Sequence, residues 1–161
     1  VGTTKASTLL GLFLAGAIVM FFGEVLLVRL GEPQFTPPIT LGAALLFIGL
    51  ILPTLAWPIR AVTKPSDPKK PREPVNPFYA TRVLLLAKAG ALTGALLTGA
   101  AMGIIVFIAS RVVVAVGPLV LAGSAVVGGV VLTVGSVLAE RWCRIPPSST
   151  DSELSGEGEP A

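Results

Sequence analysis

Two ionisable side chains stand where charge is costly. Glu24 interrupts the apolar run over residues 8–28, and Lys88 interrupts the run over 83–109. An ionisable group inside a hydrocarbon layer is by default a candidate for carrying an ion or substrate, or for a buried structural tie. The two do not suit each other as partners. If both runs cross a membrane outward, Glu24 lies about one turn before Arg29, near the outer surface. Lys88 follows Arg82 by less than two turns, near the inner surface. Depth gives each a different neighbour: Glu140 for Lys88, and Arg29 or Arg111 for Glu24. Lys88, Glu140 and Glu24 are therefore the candidate polar contacts within the membrane. Three readings of Lys88 stay open: a side chain snorkelling to the inner interface, a structural tie to Glu140, or a part in moving an ion or substrate. Glu24 is either a shallow carboxylate at the outer interface or a functional group.

Other chemistry is thin. The chain has no histidine and one cysteine, Cys143. That excludes an intramolecular disulfide, a zinc site built on Cys and His, and a His-dependent triad. Arg141 and Arg144 flank Cys143, and positive charge nearby could favour a thiolate. The plainer reading is a reduced thiol without a role, because a lone cysteine lacks catalytic partners. No clustered acid, base, nucleophile or metal ligand is present to support an enzyme. No catalytic, metal or cofactor-binding residue is assigned, and no cofactor is expected.

Four long apolar runs must position these residues. Of 161 residues, 53% are hydrophobic and 13% charged, against about a quarter charged in soluble domains. The runs cover 8–28, 39–59, 83–109 and 112–139. As helices each reaches about 30 Å or more, enough to cross a bilayer core. The first run is long and no small-x-small cleavage site follows it, so it reads as a retained anchor helix and not as a signal peptide. The second opens with Thr36-Pro37-Pro38, where Thr36 can cap and proline fits the first turn. Pro53 should kink it near its inner end.

The loops set the orientation. Arg60, Lys64, Lys69, Lys70, Arg72 and Arg82 fall between runs two and three, and Arg141 and Arg144 follow run four. The opposite side has only Arg29 and Arg111. The positive-inside rule then puts the middle loop and both termini in the cytoplasm. Trp57, Phe78, Tyr79 and Trp142 all fall at the expected inner interface, where amphipathic rings prefer to sit. The expected fold is all-α: a polytopic four-helix transmembrane bundle over residues 1–144, multi-pass in the cytoplasmic membrane. The net charge of +3 reads as topology, and no nucleic-acid partner is expected.

Small residues and prolines complete the pattern. Run three carries Gly90, Gly94, Gly99 and Gly103, two G-x-x-x-G spacings, and run four carries Gly128 among others. Such spacing lets helix backbones approach closely, within one bundle or across a homo-oligomer seam. Runs three and four, joined by a very short turn at Arg111, should be antiparallel neighbours. The loop over 60–82 has Pro65, Pro68, Pro71, Pro74 and Pro77 at period three, matching polyproline II. At about 37 Å extended, it is a stiff spacer, a docking rod for a cytoplasmic or membrane protein partner, or a basic strip for anionic lipid. The tail over 145–161 is acidic and should be disordered.

Three segments together carry a resemblance. They are PPIT (37–40), ATRVLLLAKAGALTGALLTGAAMGIIVFIASR (80–111) and LAERWCRIPP (138–147). In this order they resemble the actinobacterial four-span membrane family called domain of unknown function 3180. The likeness runs from the first apolar run to Pro147. The sequence departs from the family in lacking an acidic residue in run two and in its proline-paced loop. The resemblance implies four spans in the cytoplasmic membrane and a gene neighbourhood that often includes folate synthesis. It implies no activity and no catalytic residues. The first function to expect is a non-enzymatic accessory or scaffold component. The alternative is an oligomeric small transporter or channel subunit, for which the available polar groups are few and the two hairpins show no convincing repeat.

Overall fold

The computed structural model describes residues 5–63, 77–111 and 115–143. In them, α1 spans Ala6–Arg29, α2 Ile39–Thr63, α3 Pro77–Ala109 and α4 Val116–Trp142. Each contains a segment long and apolar enough to cross a membrane: Ala6–Arg29, Ile39–Trp57, Thr81–Ala109 and Val116–Trp142. No strand occurs among the described residues. The molecule is an all-helical, multi-pass membrane protein. Pro65, Pro68, Pro71 and Pro74, Arg144 and the acidic tail lie outside the described residues.

The helices outrun the apolar runs at some ends, for a physical reason. Apolarity marks where hydrocarbon ends, not where backbone hydrogen bonding ends. Pro77, the last of the spaced prolines, is the first residue of α3, where its missing N–H costs nothing. At 33 residues α3 is about 50 Å long, well beyond a hydrocarbon core of about 30 Å. At the start of α2 the prolines fall outside the helix. Ile39 is its first residue, and the Pro38 carbonyl accepts from the Leu41 N–H. Pro38 thus stands at the capping position, and Thr36 lies two residues further out.

The packing order is α1–α3–α4–α2. α3 and α4 form the central antiparallel pair, α1 packs on α3, and α2 packs on α4 with a lighter touch on α3. Among the described residues α1 and α2 do not pack on each other, although one loop joins them. The flanking pairs are parallel. The sites of closest approach pair Phe13 with Gly99 and Ala17 with Gly103 on one flank. On the other they pair Gly42 with Gly128 and Gly49 with Gly135. All four pairs are 86 positions apart, so both flanks keep one register.

Small residues make these approaches possible. The two G-x-x-x-G pairs of α3 serve different neighbours. A Cβ on Gly90 would come within 2.5 Å of Ser136 Oγ, and one on Gly94 within 2.6 Å of Thr133 Oγ1, both on α4. One on Gly99 or Gly103 would collide with the Phe13 or Ala17 carbonyl of α1. The five-residue step from Gly94 to Gly99 turns the helix face by about 140°, from α4 to α1. Gly128 faces the Gly42 carbonyl of α2. All five glycines named from the sequence therefore close seams inside this chain.

Helix α2 continues through Pro53. Pro53 has no N–H to give to the Gly49 carbonyl four residues earlier. That carbonyl meets Gly135 of α4 instead, a geometry suited to a Cα–H···O contact. A neighbouring helix thus accepts the backbone group that proline leaves over.

Candidate functional site

Glu24 lies near the Arg111 end of the spans and is fully buried against the protein. The burial begins with the end of α1. The Gly31 N–H donates to the Val28 carbonyl and the Glu32 N–H to the Leu27 carbonyl, with Gly31 at φ +78°. This left-handed glycine turn ends the helix and reverses the chain. The reversal lays residues 34–37 back over α1. The Phe35 N–H donates to Glu24 Oε2 at 3.4 Å. Glu24 Oε1 and Gln34 Nε2 are both buried and carry no hydrogen bond.

The turn between α3 and α4 supplies the counter-charge. The Arg111 guanidinium acts electrostatically on Glu24. Its carbon sits 4.7 Å from the centre of the Phe107 ring, in cation–π range. Phe107 meets Phe21 of α1 edge-on at 6.2 Å. Carboxylate, guanidinium and rings together join the two hairpins at the Arg111 end. What the arrangement can do chemically is hold a charge, orient it and shield it from lipid.

The other charges gather at the opposite end. The α1–α3 register puts Glu24 level with Ser110, 22 residues or about 33 Å along the axis from Lys88. The two charges inside the spans cannot meet. The Gly90–Ser136 approach sets Lys88 within about a turn of Glu140 in depth. Lys88 is half-buried and Glu140 is buried, and neither is without a partner. Aromatic rings surround this end. Trp57 and Trp142 meet edge-on at 6.0 Å, and the Tyr79 hydroxyl donates to the Leu55 carbonyl at 3.2 Å.

Cys143 agrees with the plainer of its two readings, a reduced thiol. It is buried in the cluster with Ala56, Val83, Ala87 and Ala139. Burial pushes its thiol pKa up, which favours the neutral, unreactive form. No group of three or more potential metal ligands occurs among the described residues.

Ser124 and Ser136 belong to the small-residue pattern of run four, but the sequence does not show where their hydroxyls turn. Ser136 is fully buried and its hydroxyl has no hydrogen bond. Thr98, Thr133 and Ser124 instead donate to carbonyls of their own helices at 2.6–2.8 Å. Gly42 and Gly49 could have been found by spacing, since their interval of seven matches that of Gly128 and Gly135.

Four apolar crossings, glycine-closed seams and charge confined to the two ends define a small polytopic helical membrane protein. The chain belongs to the family described as protein of unknown function (DUF3180), which matches residues 5–147. No curated protein and no solved structure matches it.

Proposed function

We propose that the chain is a non-enzymatic accessory or scaffold component of the cytoplasmic membrane, with both termini and the proline-paced loop on the cytoplasmic side. The closed central seam carries this reading. Gly90 meets Ser136, Gly94 meets Thr133 and Gly129 meets Thr98 without room for a methyl group. The Thr98 and Thr133 hydroxyls are turned onto their own helices. About 33 Å along the helix axes separates Glu24 from Lys88, and the α3–α4 seam between them is closed at these three contacts. A bundle so closed suits holding partners better than passing solutes. One observation favours the alternative, an oligomeric small transporter or channel subunit: the buried Glu24 carboxylate with Oε1 unpaired.

The test is purification from native membranes in mild detergent at natural abundance, with complex mass and co-purifying proteins as readout. The scaffold reading expects a stoichiometric partner that is lost when residues 65–74 become a Gly/Ser linker. Pro77 is spared because it opens α3. A partner-free homo-oligomer with solute flux abolished by Glu24→Gln would replace the scaffold reading with transport.

A further inference from the structure

A groove of about 370 Å³ runs between α1, α3 and α4, lined among others by Leu9, Phe13, Ala95, Val130, Thr133 and Val134. It exists because α1 and α4 both pack on α3 but not on each other. Its walls are apolar in effect, since the Thr98 and Thr133 hydroxyls are spent on their own helices. Within a bilayer such a space takes hydrocarbon, and the charges at its end select which hydrocarbon.

Each of the three lining helices brings one cation to the same end. Lys5 directly precedes Ala6, a lining residue. Lys88 lies one heptad from Ala95 on α3, and Arg141 one heptad from Val134 on α4. Seven residues are two turns, so Lys88 and Arg141 each sit about 10 Å along the axis from those lining residues and within about 20° of the same helix face. The α1–α3 register sets Lys5 level with Ala91, about 5 Å from Lys88 in depth. The α3–α4 approach sets Arg141 about 5 Å further toward the Trp142 end. Lys5 and Arg141 are exposed and Lys88 is half-buried. The buried Glu140, on the face of α4 toward α3, is the one acid described nearby, so the cluster keeps an excess of positive charge. An ammonium has three donors, so a partner already held by Lys88 leaves others for an anion. Trp142 beside Arg141 marks headgroup depth.

We propose that this groove binds one anionic phospholipid, with an acyl chain between α1 and α4 and its phosphate held by Lys5, Lys88 and Arg141. Apolar groove and cations stand in the order in which a lipid presents tail and headgroup. Guanidinium and ammonium groups are the usual ligands of phosphate, and basic residues near a membrane surface draw anionic lipid.

The test uses the full chain in detergent and native mass spectrometry, with phosphatidylglycerol and phosphatidylcholine of identical acyl chains. Wild type should retain one phosphatidylglycerol, with a preference on the order of tenfold. Lys5→Gln with Arg141→Gln should reduce that preference several-fold, and adding Lys88→Gln should abolish it. The first two residues are exposed, so the test does not depend on the third variant folding. Val134→Trp should block retention of both lipids. Val134 is 53% exposed, so the larger ring fills the groove without entering the core. Equal retention of the two lipids would overturn the proposal. So would retention unaffected by Val134→Trp, or a lipid-free dimer in which a second copy fills the groove.

Discussion

The α1–α3 and α2–α4 seams share direction and register, yet they hold their helices differently. Between α2 and α4, glycine meets glycine, at Gly42–Gly128 and Gly49–Gly135. There the Gly49 carbonyl also lacks its helical donor because of Pro53. Between α1 and α3, Gly99 and Gly103 meet carbonyls of residues that carry side chains, Phe13 and Ala17. The buried residues of the flanking helix α1 are Gly16 and Glu24 alone, whereas its counterpart α2 buries Leu45, Leu52 and Ala56. The same small-residue spacing thus serves a flank with an apolar buried face on one side and a flank with almost none on the other. Register and neighbours decide which, and the motif does not.

The sharpest way to break the comparison is Gly135→Ala. A methyl there collides with the Gly49 carbonyl and crowds Pro53. Overpacking of this kind costs about 1–3 kcal/mol, and the expected loss lies at the upper end, read as a lower melting temperature in detergent. Gly99→Ala should cost less, because α1 can move outward into lipid without disturbing α4. Engineered disulfide cross-linking between α1 and α3 should fall while that between α2 and α4 persists. If Gly99→Ala costs as much as Gly135→Ala, the two seams are equivalent and the contrast fails. Lys88→Ala and Glu140→Ala probe the central pair. A tie between them would appear as non-additivity of about 0.5–3 kcal/mol in a double-mutant cycle, and additive losses would remove it. The smallest effect belongs to Gly123→Ala, where a Cβ meets nothing within 4 Å. Stability there should stay within about 0.5 kcal/mol or rise slightly through helix propensity.

The helices were legible because hydropathy is local: four long apolar stretches, two of them broken by a single charge, sit in the sequence at bilayer length. The division of labour among glycines was not. Gly94 and Gly99 look alike in sequence, and only the α1–α3 register shows that they face different helices. Glu24 teaches the same lesson. Its depth could be read from Arg29, but its burial depends on Gly31 turning the chain so that Phe35 comes back eleven residues later. Cys143 carries two readings in sequence, because Arg141 is close along the chain, and the fold agrees with the plainer one. In the fold the thiol turns into the cluster with Val83 and Ala139. Lys88 and Glu140 were legible as neighbours in depth, which needs only an even count of residues up one helix and down the next.

The separation of α1 from α2 bears on how the protein is made. The first hairpin leaves the ribosome with no surface on which its two helices can hold each other, since α3 and α4 are what they grip. During synthesis it must wait in the lipid, loosely tethered, until the second hairpin arrives and wedges between its arms. A nascent chain stopped after α2 would expose Gly42, Gly49 and Glu24 to membrane proteases. The second hairpin supplied as a separate polypeptide should rescue it.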